Sequence, residues 1–362
     1  EHLVLLGRGG NDVFDIVSDH PYQSMIVTGD GSDAGATADA NGDQVLVRGA
    51  ARAETITVKP NPWIDSETYI TGTGADPGRS ATISTSGVER IYYLGTGNDT
   101  LVVDPGQGTH AVRVDGGRFT GLTGLPAPLP PPLMSGQFDR VTSDSLPEVF
   151  GSTLDTLRVA PAGATGSVEV TFVTGDLTQA RATPPHNYEA VLDGDDTLVI
   201  EGGDGAADQY VVTKPGTGSV AVTHDLTSDV RVTETSGNLG RLQINSLGGD
   251  DVVTVDDSTG LISPLITIDG GTGSDALVVR GSVAVQQVEY WPGPAVTEGR
   301  LTYDTAWQQA GKDMIIDFVN LEPVIDLVPK TVALTVYGTN ADNAINYMAG
   351  PHSGVVDPLF NP

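Results

Sequence analysis

Cysteine is absent from the 362-residue chain, which excludes disulfides, thiolate nucleophiles, cysteine-ligated zinc and covalently attached haem. Positive charge is scarce: Lys and Arg total 18 against 47 Asp and Glu, a formal charge of −29, and Lys59, Lys214, Lys312 and Lys330 are the only lysines. That balance argues against nucleic acid and anionic membrane as partners and makes cations, above all Ca2+, the natural counter-charges. No apolar run approaches the roughly 18 residues of a membrane-crossing helix, so no membrane insertion is expected. The sequence starts at Glu1, without Met or a basic-then-apolar leader, and reads as a processed or excised segment. Helical periodicity is also missing; the only candidate, AWQQAGKD from Ala306, is barely two turns.

What the chain has is glycine, 46 residues, and short runs of Val, Leu, Ile and Thr. That composition belongs to many short strands and turns. A motif, Gly-x-Asn/Asp-Asp followed by an apolar run, recurs as LGRGGNDVFDIV, LGTGNDTLVVD, LDGDDTLVIE, LGGDDVVTVD and GGTGSDALVV. Its last aspartates are Asp12, Asp99, Asp196, Asp251 and Asp275. Two and four residues later stand Phe14 and Ile16, Leu101 and Val103, Leu198 and Ile200, Val253 and Val255, Leu277 and Val279. All are apolar, the period-two pattern of a strand with one face buried.

A second strand precedes the turn, as in EHLVLLG, VERIYYLG, YEAVLDG and GRLQINSLG, and a third follows it, as in MIVTGDG, AVRVDGG and LITIDGG. Another element, DQVLVRGAARAETITVKP from Asp43, has cousins starting at Asp155, Asp196 and Asp275, and a last echo, VYGTNADNAINYMAGP, begins at Val336. The pattern is an irregular module of about 90 residues with insertions. Expected segments are a β-repeat region over 1–117, a proline-rich arm over 118–151 containing LPAPLPPPL, and a second β-repeat region over 152–362. The repeat is expected to continue beyond both ends or to be completed by neighbouring subunits.

GGTGSDALV, Gly270 to Val278, resembles the Gly-Gly-x-Gly-x-Asp-x-apolar-x nonapeptide of the hemolysin-type (RTX) calcium-binding repeats, and the strand-turn text as a whole looks like long repetitive surface proteins of bacteria. The resemblance implies a secreted parallel β-roll or β-helix that binds Ca2+ through Asp and backbone carbonyls. Carried over to this chain, it makes Asp275 a Ca2+ ligand, with Gly270, Gly271 and Gly273 shaping its turn. Asp12, Asp99 and Asp251 match the Gly-x-Asp core and are further candidate ligands. The tandem nine-residue spacing of those repeats is missing, because copies here stand tens of residues apart. Turn chemistry explains the same letters without a metal: glycine supplies positive φ, and Asn or Asp folds its side chain onto the backbone.

No catalytic constellation is visible. The adjacent pairs Asp195–Asp196, Asp250–Asp251 and Asp256–Asp257 would point to opposite faces of a strand and cannot straddle one bond. The six histidines lack zinc-site spacing and read as loop residues. Trp63, Trp291 and Trp307 read either as sugar-stacking platforms or interface anchors, or as ordinary packing against the prolines beside the first two. Asn98-Asp99-Thr100 is a lone glycosylation sequon. The expected fold is all-β, an elongated parallel β-helix or β-roll-like solenoid with loop insertions, with tandem β-sandwich domains as the alternative. The expected function is an extracellular, non-enzymatic structural repeat protein of a bacterial surface: a surface-layer, stalk or fibre subunit whose partners are copies of itself. The alternatives are a calcium- or carbohydrate-binding adhesin module that contacts cell-surface glycans and a polysaccharide-acting β-helix enzyme.

Overall fold

The computed structural model describes residues 2–7, 11–29, 42–50, 52–64, 66–73, 82–95, 99–115, 139–152, 154, 156–161, 167–174, 187–203, 205, 207–217, 219–224, 230–237, 239–308 and 311–339. Its secondary structure is entirely β. The chain begins with β1 (His2–Leu6), β2 (Val13–Val17), β3 (Ser24–Thr28), β4 (Gln44–Arg48), β5 (Thr55–Pro60), β6 (Glu67–Thr73) and β7 (Thr82–Ser86). It continues with β8 (Arg90–Leu94), β9 (Thr100–Val103), β10 (His110–Asp115), β11 (Asp139–Ser143), β12 (Glu148–Ser152), β13 (Thr156–Val159) and β14 (Val168–Val173). Then come β15 (Asn187–Ala190), β16 (Thr197–Glu201), β17 (Gln209–Thr213), β18 (Val220–His224), β19 (Val230–Glu234), β20 (Arg241–Asn245) and β21 (Val252–Asp256). The last are β22 (Leu265–Asp269), β23 (Ala276–Arg280), β24 (Val285–Pro292), β25 (Gly299–Asp304), β26 (Met314–Val319), β27 (Val324–Asp326) and β28 (Lys330–Val336).

The strands form two sheets of 14. One runs β1-β3-β7-β6-β5-β9-β13-β15-β19-β18-β17-β21-β23-β27, the other β2-β4-β8-β12-β11-β10-β14-β16-β20-β22-β26-β25-β24-β28. The chain alternates between them, and strands that meet by this alternation pair in parallel, as β1 with β3 and β21 with β23 do. At four places it stays in one sheet for three strands: β5–β7, β10–β12, β17–β19 and β24–β26. Each excursion overshoots to the far strand, pairs antiparallel with the middle one, and returns beside the strand already laid down. Antiparallel pairing is confined to these excursions. Tandem sandwiches would need it throughout the sheets, whereas both sheets are mostly parallel.

The repeated DQVLV-type element marks three of the four excursions, since its copies at Asp43, Asp196 and Asp275 lead into β5, β17 and β24. The copy at Asp155 leads instead through β13 to β14, an ordinary change of sheet. Of the expected arm over 118–151, residues 118–138 lie outside the described residues, while 139–151 belong largely to β11 and β12 of the second excursion. Of AWQQAGKD, Ala306, Trp307 and Gln308 lie in a bend and turn, and Gln309 and Ala310 fall outside the described residues.

Alternation places the core. Ile16, Leu101, Val103, Leu198, Ile200, Val253, Val255, Leu277 and Val279 are all buried, and Phe14 packs partly buried against the same cluster. That cluster draws from both sheets; Phe172 of β14 and Tyr188 of β15, for example, meet edge to face. The same motif feeds both sheets: β2 and β16 belong to one, β9, β21 and β23 to the other.

Candidate functional site

The motif aspartates sit where the chain turns into a strand, and the carboxylates of Asp99, Asp196, Asp251 and Asp275 reach to a neighbouring strand of the same sheet. Asp251 N–H donates to Asp275 Oδ1 at 2.9 Å, and Asp208 N–H to Asp251 Oδ1 at 2.8 Å. Glu54 N–H donates to Asp99 Oδ1 at 2.9 Å, Val168 N–H to Asp196 Oδ1 at 2.6 Å. Asp12 N–H donates to Asp43 Oδ1 at 2.7 Å, and Asp43 N–H to Glu89 Oε2 at 2.6 Å. In every pair the acceptor is the later residue and the donor stands one strand earlier in the stack. The carboxylate thus satisfies an N–H at a strand start that would otherwise be buried without a partner.

The ladder has two branches because the motif serves both sheets. Asp208, Asp251 and Asp275 precede β17, β21 and β23; Asp12, Asp43 and Glu89 precede β2, β4 and β8. Sequence reasoning missed Asp43, Glu54, Glu89 and Asp208 as members. The available signal was an acidic residue directly before an alternating apolar run, as in DQVLV and DQYVV, without the glycines.

Burial distinguishes the adjacent carboxylates: Asp196, Asp251 and Asp257 are buried while Asp195 and Asp250 face solvent and Asp256 is half-buried. Burial pushes the carboxyl groups of Asp196, Asp251 and Asp275 above the ordinary range. Asp257 is pushed up to about 6, by burial first and then by the charges of Asp256 and Asp326. Asp256 moves the other way, because hydrogen bonds from Ser258 and the Arg280 guanidinium outweigh its desolvation.

Of the four candidate Ca2+ ligands, Asp251 and Asp275 come together as neighbours in one ladder, Asp99 caps a separate pair, and half-buried Asp12 heads the other branch. The Oδ2 atoms of Asp251 and Asp275 carry no hydrogen bond. Ca2+ takes six to eight oxygens, and among the described residues no group of three or more His, Asp or Glu is arranged to hold a metal. The turn glycines have a steric reason. Gly271 and Gly273 hold φ +77° and +138°, and a Cβ on either would strike the carbonyl of Leu247 or Gly249 in the turn beneath. There Thr272 N–H donates to Leu247 O and Gly249 N–H to Thr272 O, both at 2.9 Å.

The histidines are not all loop residues. His2, His110 and His224 lie on β1, β10 and β18, His20 lies in a loop, and His186 and His352 fall outside the described residues, as does Asn98 of the sequon. His224 is buried, its Nε2 3.2 Å from Asp208 Oδ1 and its ring stacked on Tyr210 at 4.6 Å. Trp63, Trp291 and Trp307 are all exposed; Trp291 stacks on Tyr337 at 3.6 Å and lines a groove of about 820 Å3 on the outer face of β20, β22, β26, β25 and β24. No protein-family model matches the chain, and no curated protein or solved structure is detectably similar to it.

Proposed function

We propose that the protein is an extracellular structural repeat protein, a stalk, fibre or surface-layer subunit of a bacterial surface whose two sheets are the walls of a β-solenoid. The observation that carries this reading is the carboxylate ladder. The acidic groups that a catalytic or signalling protein would gather at one place are here distributed along the stack and used to cap strand starts. Such use favours length and stiffness. Self-association would run end to end. Among the described residues β1 and β2 close one end of the stack and β27 and β28 the other, and each pairs on one side only. Val4 and Leu6 of β1 and Val332, Leu334 and Val336 of β28 are exposed apolar side chains on those edges, a template for pairing with another copy. Ca2+ enters this reading as a counter-ion that screens the charge of −29, or as an ion bound by the unpartnered Oδ2 atoms of Asp251 and Asp275.

Electron microscopy of the purified chain, with millimolar Ca2+ and with chelator, tests the reading. Rods that lengthen end to end are expected, and the double substitution Val4→Lys with Leu334→Lys should shorten them to single particles by placing charge on both edges. Fraying on chelation would assign Ca2+ a structural part. Compact single particles under both conditions would overturn the structural reading in favour of an adhesin module.

A further inference from the structure

The outer face of the second sheet changes character near β24. Five outward side chains, Gln243, Thr267, Asp317, Arg300 and Trp291, stand in one register row across β20, β22, β26, β25 and β24. Their inward neighbours Leu242, Ile266, Ile316 and Leu301 are core residues, so the row is fixed by the pleat and its members face out together. At the usual inter-strand spacing the row is about 19 Å long. It forms the floor of the 820 Å3 groove, whose end wall is built by the β24–β25 connection at Gly293, Pro294 and Glu298.

The row offers an amide, a hydroxyl, a carboxylate, a guanidinium and an indole in succession. Arg300 and Asp317 are joined by a two-pronged ion pair, with Nη2 2.7 Å from Oδ2. The Gln243 amide donates to Asn245 Oδ1 at 3.1 Å, and both amides retain capacity for further bonds. Trp291 is held in place: Tyr337 stacks on it, and the Tyr337 hydroxyl donates to Glu289, whose carboxylate also binds Lys312 at 2.7 Å. Apolar surface from Pro292, Ile315 and Val319 lies among these polar points.

Charge is nearly balanced here, in contrast with the chain as a whole. Arg241, Arg300 and Lys312, three of only 18 cations, line the groove with four carboxylates. A linear sugar chain alternates apolar C–H faces with hydroxyls that both donate and accept, which suits a neutral row ending in a rigid aromatic plane. From this geometry we infer that the groove is a lateral binding site for a neutral, linear oligosaccharide segment, with Trp291 as its stacking platform. The groove lies on the outer face of the sheet and not on its open edge, although Tyr337, which follows the edge strand β28, supports Trp291.

Affinity electrophoresis through gels containing neutral polysaccharides (a soluble β-glucan, a galactomannan, dextran) or anionic ones (alginate, polygalacturonate) tests this. Retardation by at least one neutral polysaccharide is expected. By calorimetry on its oligosaccharides, Trp291→Ala and Gln243→Ala should each raise Kd about tenfold or more. Trp63→Ala, outside the groove, should change nothing. Gln243→Ala removes an outward amide and keeps the site testable if loss of Trp291 loosens β28; thermal melts identify that case. Retardation by anionic polymers alone, by none, or unchanged in both groove variants would overturn the assignment. Electron microscopy of the same samples reads assembly separately, so failure of either property leaves the other measurable.

Discussion

At the scale of single residues, the unusual feature is carboxylates kept inside a protein that has every electrostatic reason to expose them. Asp257 is the extreme case: it is fully buried, neither carboxylate oxygen has a hydrogen bond, and it fits because Gly281 has no side chain to occupy its place. Its carboxyl is pushed up to about 6, against an unfolded value of about 4. Between those values the folded state keeps a proton that the unfolded chain releases, so stability falls as pH rises through that window and levels off above it. The loss amounts to at most roughly 3 kcal/mol. Asp257→Asn should therefore melt higher than wild type at pH 8 and show a smaller decline in melting temperature from pH 4 to 6. Equal midpoints at pH 8 would mean that the ionised carboxylate is tolerated where it stands. The sequence showed Asp256-Asp257 as a pair with opposite faces, and burial bears that out. Period two carries the buried row of Val253 and Val255 on to Asp257, so the inner member was legible; that both its oxygens would lack a hydrogen bond was not.

At the scale of the element, the starts of β2, β4, β5, β14, β17 and β21 are capped ends, and each cap comes from another stretch of chain 24 to 46 residues away. Asp251→Ala removes the acceptor of Asp208 N–H and should cost about 1–3 kcal/mol in urea unfolding. Asp251→Asn, which keeps an oxygen in place, should cost clearly less; equal losses would show that the charge, and not the acceptor, is what the turn requires. The strands themselves were legible, since a buried alternate row needs only period-two apolarity, and β9, β16, β21 and β23 follow from the motif directly. The excursions were not. TITVKP and its cousins stood out as recurring text, but meandering back within one sheet and crossing to the other require the same kind of strand. Phe14, the one partly buried member of the predicted inward row, lies on β2, an edge strand with a partner on one side only.

At the scale of the whole molecule, each strand pairs only with its neighbours in one of two long sheets, so under the proposed solenoid reading distant perturbations should not communicate. Leu101 on β9 and Val255 on β21 are both fully buried and are separated in their sheet by five intervening strands, about 29 Å at normal spacing. Leu101→Ala should cost about 2–5 kcal/mol, and combined with Val255→Ala the losses should add within about 0.5 kcal/mol. Val102→Thr, on the half-exposed face, should stay within about that same margin. A coupling well beyond it would indicate one cooperative unit spanning the stack. The sequence by itself determined the all-β class, the buried rows and the turn role of glycine beside Asp, because these depend on neighbours two to four residues apart. It also fixed the acidity that limits which partners can approach. Only the tertiary structure decided which sheet each motif feeds, which carboxylate caps which strand, and that Gln243, Thr267, Asp317, Arg300 and Trp291, scattered over nearly 75 residues, form one row. Register between strands is set by packing at long range, and no local pattern encodes it.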